Sequence, residues 1–113
     1  MNIQIFGTRK SQDTRKAERF FKERGIKFQS VDLNEKGFSR RELESVISAV
    51  GSLDDLIDDK CKDQETYLLI KYLSGGDRFA KVLENPQVLR SPIVRNGRQA
   101  TVGYKPEIWK GWE

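Results

Sequence analysis

The sequence predicts one α/β domain spanning residues 1–113, with a four-stranded mixed sheet and a helical insert at about residues 39–84. Three observations predict it. Alternating apolar residues at Ile3 and Ile5, ending on Phe6, open a strand–helix–strand pattern. The middle of the chain carries apolar residues at helical spacing only. A strand pair meeting at Asn96-Gly97 then precedes a last short helix. A length of 113 residues suits a single domain with a modest core.

The elements follow in order. Ile3 to Phe6 reads as the first strand, and Gly7 to Asp13 as a polar loop. A helix is expected from about Thr14 to Arg24, because Ala17, Phe20 and Phe21 share a face and Gly25 stops it. Lys27 to Leu33 reads as the second strand, with Phe28, Val31 and Leu33 apolar, and Asn34 to Phe38 as a connector. Ser39-Arg40-Arg41-Glu42 matches a capping box. It opens a helix with Leu43, Val46, Ile47 and Val50 on one side and Gly51 at its end. A shorter helix is expected after Ser52, carrying Leu53, Leu56 and Ile57. Another is expected over Gln64 to Leu73, stopped by Ser74-Gly75-Gly76. Asp77 is the expected cap of a further helix bearing Phe79, Val82 and Leu83, which Asn85-Pro86 ends. Pro92 to Val102 reads as a hairpin on a type I′ turn at Asn96-Gly97. Pro106 suits the first turn of a closing helix with Ile108, Trp109 and Trp112.

Composition excludes several function classes. There is no histidine and one cysteine, Cys61, so neither an internal disulfide nor a zinc site is expected, and no cofactor is implied. No apolar run is long enough for a membrane span, and the alternating start does not read as a signal peptide, so the cytoplasm is the expected compartment. The net charge of +4 comes from basic residues interleaved with acidic ones, as in Arg15 to Arg24. A nucleic-acid footprint needs a one-signed patch, so direct nucleic-acid binding is not expected.

Three stretches in order resemble the ArsC/Spx family of thioredoxin-fold, glutaredoxin-related proteins. Ile5-Phe6-Gly7-Thr8 through Ser11-Gln12-Asp13-Thr14-Arg15-Lys16-Ala17 sits where the family has a strand, a Cys-x-x-Cys or Cys-x-x-Ser loop and Arg-Lys-Ala. Leu89-Arg90-Ser91-Pro92-Ile93-Val94 resembles its Leu-Arg-Arg-Pro-Ile segment. Val102-Gly103-Tyr104-Lys105-Pro106-Glu107-Ile108 resembles its Val-Gly-Tyr/Phe ending. The resemblance implies a thioredoxin-like sheet with a helical insert lobe, and a cis Pro92 that faces the active loop and shapes its cleft.

The resemblance also assigns the chemistry. The family nucleophile is a cysteine at a helix start, where free N–H groups and the helix dipole favour a thiolate. The matching residue is Ser11, and the second cysteine matches Thr14. A hydroxyl at neutral pH, with no histidine to activate it, forms no mixed disulfide or thiol–arsenate adduct. Ser11 and Thr14 are therefore expected to cap the helix. Cys61 lies among charges of both signs and is expected to be an ordinary thiol.

Arsenate-reducing relatives hold their anion with three arginines, matched here by Lys60, Arg90 and Tyr104. A weakened anion site is expected from Lys60, Arg90 and Arg15 with the helix N-terminus, aided by Arg9 and Lys10, with Tyr104 beside the cleft. Arg90 has a second reading, as a structural residue bonding loop carbonyls. Spx-like relatives contact the C-terminal domain of the RNA polymerase α subunit through a surface that maps here to Arg40, Arg41, Glu44 and Gly51-Ser52. The family thus implies either a redox-inactive regulatory module of the Spx type or an arsenate reductase-like or glutathione-dependent oxidoreductase. A degenerate anion- or thiol-binding paralogue is the third reading.

Overall fold

Alternation along Ile3–Gly7 makes this segment, β1, a strand with two buried faces, and the rest of the molecule is arranged around it. The structure is a computed structural model that describes residues 1–112. β1 pairs in parallel with β2 (Phe28–Asp32) and antiparallel with β3 (Ile93–Asn96). β4 (Gln99–Val102) pairs antiparallel with β3, giving the order β2-β1-β3-β4. The sheet is mixed and four-stranded, as the sequence predicts.

Each face of the sheet has its own apolar cluster. Ile3, Ile5 and Val94 meet Ala17, Phe20 and Phe21 of α1 (Gln12–Glu23) and Trp109 of α5 (Pro106–Lys110). On the other face Phe6 and Ile93 join Leu43 and Val46 of α2 (Arg40–Val50), Ile70 of α3 (Gln64–Lys71) and Val82 of α4 (Gly75–Glu84). Phe6 stacks on Phe38 with ring centroids 4.0 Å apart. The Trp109 indole is fully buried, and its Nε1 donates to Thr101 Oγ1 at 2.8 Å. That bond satisfies a donor that water cannot reach.

The capping box forms as the spacing predicts. Glu42 N–H donates to Ser39 Oγ at 3.1 Å, and Ser39 N–H donates to Glu42 Oε1 at 2.8 Å. Burial alone pushes the Glu42 carboxyl up. The Ser39 amide and hydroxyl bonds, with nearby Arg95, outweigh it and hold the carboxyl below its usual value. Gly51 closes α2 at φ +125°, a conformation glycine adopts freely. The Arg78 guanidinium reaches Asp54 at 2.6 Å and ties α4 to the chain after α2. No helix among the described residues is long and apolar enough to cross a membrane.

Four local expectations need correction. α1 begins at Gln12, not Thr14, because Ser11 is its N-cap. The helix expected after Ser52 is a single 3-10 turn at Asp54–Leu56: the Ser52 hydroxyl takes the Asp55 amide, and Asp58 N–H already turns to Val88 O. α3 ends at Lys71, and Gly75-Gly76 open α4 instead of stopping α3. Gly75 sits at φ +55° where the chain reverses, and Asp77 lies inside the first turn. In the hairpin, Asn96 pairs with Gln99, so the turn residues are Gly97-Arg98. Only Gly97, at φ +60°, is positive, which is the pattern of type II′ and not I′.

Candidate functional site

The loop after β1 is stitched to the start of β3 by hydroxyls. Ser11, as N-cap, has extended φ/ψ, and its Oγ accepts the Thr14 N–H at 3.1 Å. The same hydroxyl donates to Ser91 O at 3.4 Å. Thr14 is buried, and its Oγ1 lies 2.8 Å from Ser91 Oγ. Ser91 Oγ also accepts the Thr8 N–H at 3.0 Å. Ser91 therefore touches three residues of the loop and helix start. Its bond to Pro92 is cis, in line with the expectation for Pro92, and Pro92 O accepts the Gly103 N–H at 2.8 Å.

Gly7 allows this closeness. A Cβ there would meet Thr14 Oγ1, and would lie 2.6 Å from Thr14 Cγ2 and 2.8 Å from Ser91 Oγ. Ser91 is the residue sequence reasoning missed. A serine before a proline has no periodicity, and its part emerges only when residues about 80 positions apart come together. The signal available was the excess of hydroxyls at both places: Thr8, Ser11 and Thr14 in one, Ser91 in the other.

Chemically the cluster is closed. The Ser11 hydroxyl has its proton committed to Ser91 and a lone pair to Thr14, and the chain has no histidine to draw that proton off. Cys61 stands elsewhere, in the cluster on the insert side of the sheet. It is buried, and its Sγ donates to Asp63 O at 3.6 Å. Burial pushes its thiol up, and the Asp58 carboxylate adds to the shift, the opposite of what a reactive thiolate needs.

The residues expected to cradle an anion do not converge. Arg90 lines an open depression with Ser91 and four carboxylates, Asp13, Asp54, Asp55 and Asp58. Lys60 and Arg15 are not among its lining residues. Lys60 is exposed in the turn after Asp58, and Arg15 lines a separate depression with Arg9, Glu18, Asp32 and Glu35. Four carboxylates stand there beside Arg90, one of them bridged to Arg78, and the depression does not gather the three expected cations. Nor does Arg90 brace loop carbonyls. Its backbone N–H donates to Leu56 O at 2.7 Å, but its exposed guanidinium makes no hydrogen bond or ion pair among the described residues. Tyr104 packs edge-on against Trp109 with centroids 5.5 Å apart, and the Lys16 ammonium lies 5.8 Å from its ring centre. Among the described residues no group of histidine, cysteine or carboxylate side chains is arranged to hold a metal ion.

Comparison with known proteins agrees with this layout. The chain is 28% identical over 106 residues to the global transcriptional regulator Spx 2 of Oceanobacillus iheyensis, covering 92% of this chain and 78% of that one. Its structure is similar to an arsenate reductase from Vibrio cholerae, with 25% identity, a TM-score of 0.80 and coverage of 96% and 94% of the two chains. A glutaredoxin from Archaeoglobus fulgidus, 16% identical, shares the fold with a TM-score of 0.50 over 96% of this chain and 82% of that one. The ArsC family profile matches residues 6–111, nearly the whole length. With its thioredoxin-like sheet, helical insert and cis proline beside the α1 N-terminus, the chain belongs to the ArsC family.

Proposed function

We propose that this chain is a thiol-independent regulatory binding module of the Spx type, whose partner is the C-terminal domain of the RNA polymerase α subunit. One observation carries the reading. The place of the family nucleophile holds a saturated hydroxyl cluster of Ser11, Thr14 and Ser91 in place of a thiol. Such a cluster fixes the loop and offers no redox chemistry, whereas a binding role asks only for a surface. The surface is the outer side of α2 with the turn after it. Arg40, Arg41 and Glu44 are exposed there, and Gly51-Ser52 follows. Arg40 lies over the Phe79 ring, 5.0 Å from its centre, which restrains the guanidinium ahead of docking. A cytoplasmic setting fits such a partner.

The test is an amide NMR titration of the labelled protein with the purified C-terminal domain of the α subunit. Shifts should cluster at Arg40 to Glu44 and at Gly51-Ser52, and the pair Arg40→Glu, Arg41→Glu should weaken binding roughly tenfold or more. No binding up to about millimolar partner, the weak end of the affinity scale, rejects the partner. Arsenate or disulfide reduction above a thiol-free control, abolished by Cys61→Ser, rejects the redox-inactive reading itself.

A further inference from the structure

α2 carries Arg40, Glu44, Ile47, Ser48 and its cap Gly51 at intervals that bring them onto one stripe along the helix. The proposed docking residues occupy its two ends, Arg40 and Glu44 at one and Gly51-Ser52 at the other. About 16 Å of helix separates Arg40 from Gly51.

The middle of the stripe is the wall of a groove. Ile47 and Ser48, with Arg40 and Glu44, face Gly76 and Phe79 of α4 across an open cleft. The floor is apolar, since Ile47 and Phe79 both pack on the insert-side cluster and both keep part of their surface exposed. The Arg40 guanidinium covers the Phe79 ring at one end. Gly76 leaves its part of the second wall open, because a Cβ there would meet nothing within 4 Å. The Arg78–Asp54 ion pair, at 2.6 Å, ties α4 to the chain just past Gly51-Ser52 and holds the walls together before anything docks.

We infer that the α2–α4 groove is the apolar anchor site of the proposed interface, where Phe79 and Ile47 take one apolar side chain of the C-terminal domain of the α subunit. The inference rests on the reading of the partner given above. Geometry selects the occupant. A partner that touches Arg40 and Glu44 at one end and Gly51-Ser52 at the other passes over Ile47 and Ser48, and so over the mouth of the groove. Energetics select the group it inserts. Arg40, Arg41 and Glu44 are exposed charges of both signs, which serve as a rim and contribute little each. Interfaces draw most of their affinity from a few apolar anchors at the centre of such a rim. Ile47 and Phe79 are the apolar side chains at the centre of this one, so α4 joins a surface that the sequence placed on α2 alone.

The experiment is a titration with the purified C-terminal domain of the α subunit, read at the Ile47 methyl and the Gly76 and Phe79 amides, with Kd measured by calorimetry. These three probes should shift together with the amides of Arg40 to Glu44 and Gly51-Ser52. Phe79→Ala removes the floor and should weaken binding roughly tenfold or more. Gly76→Gln fills the open wall and should weaken binding roughly fivefold or more. Its Tm should be unchanged or higher, because Gly76, unlike Gly75, does not have a positive φ, and replacing such a glycine favours a helix. If Phe79→Ala loses its far-ultraviolet circular dichroism, Gly76→Gln and the wild-type shifts decide alone. Shifts at Arg40 to Glu44 and Gly51-Ser52 with none at Ile47, Gly76 and Phe79 overturn the inference and leave the partner standing, as does a Gly76→Gln variant of wild-type affinity. No binding up to about millimolar partner rejects the partner, and the anchor with it. Groove shifts that follow the chain's own concentration without the partner assign the groove to a second copy, and also overturn the inference.

Discussion

Replacing Gly7 by alanine probes the hydroxyl cluster with a single methyl group. Gly7 and Thr14 are both buried, and the new Cβ would meet Thr14 Oγ1 with Thr14 Cγ2 at 2.6 Å and Ser91 Oγ at 2.8 Å. Three neighbours inside ordinary contact distance cannot all retreat, since Ser91 Oγ also accepts the Thr8 N–H and is hydrogen-bonded to Thr14 Oγ1. Overpacking of this kind costs about 1–3 kcal/mol. The lower entropy of the unfolded alanine chain offsets about 0.4–1 kcal/mol of that. A net loss of about 1–2 kcal/mol corresponds to a Tm lower by roughly 4–10 °C for a domain near this size. Thermal unfolding followed by circular dichroism measures it. Thr14→Ala alone should cost about 1 kcal/mol for the lost hydrogen bond. It should also relieve the crowding, so Gly7→Ala with Thr14→Ala should cost at least about 0.5 kcal/mol less than the two separately, beyond ordinary additivity error. An unchanged or raised Tm in Gly7→Ala, or strict additivity in the double variant, would refute the crowding argument.

Other perturbations read other parts of the molecule. Ser11→Cys, made with Cys61→Ser, places a thiol where the Thr14 amide and the α1 dipole favour its anion; its pKa from alkylation rate against pH should fall below the ~8.5 of a free cysteine, and a value at or above that means the helix start does not act on it. Thr101→Val strands the buried Trp109 N–H and should cost about 1–3 kcal/mol in urea unfolding, whereas Thr101→Ser, which keeps the hydroxyl, should cost less. Cys61 has a raised pKa when folded, so the folded state holds the proton more tightly than the unfolded one. Stability should therefore fall as pH rises past the unfolded value near ~8.5, and an equal fall in Cys61→Ala would remove the thiol as its cause.

Residues whose structure is set by near neighbours were legible in the sequence. The Ser39–Glu42 box, the Gly51 stop and the alternation of Ile3 and Ile5 each carry their reason within a few positions, and each forms as expected. Cis Pro92 was legible through the family resemblance alone. Glycine misled twice, because its freedom at positive φ serves a helix start at Gly75 as well as a stop, and Gly97 needs only one positive φ where type I′ needs two. The surroundings of Arg90 were not legible for a different reason. Matching Arg90 and Lys60 to a family pattern counts cations but not the aspartates that folding gathers around one of them: Asp13 from α1 joins Asp54, Asp55 and Asp58 from the insert. Sequence spacing is silent on that sum, as it is on the meeting of Ser91 with Thr14.

The sheet's two separate apolar clusters bear on how such a chain diversifies. Neighbouring residues of β1 and β3 send side chains to opposite sides, Ile5 and Val94 to one cluster and Phe6 and Ile93 to the other. Repacking among Leu43, Val46 and Val82 is thus shielded by the sheet from Phe21 and Trp109, and distant substitutions combine nearly independently. Substitutions on the insert side of the sheet can therefore be accommodated while the wall that anchors the hydroxyl-bound loop stays in place.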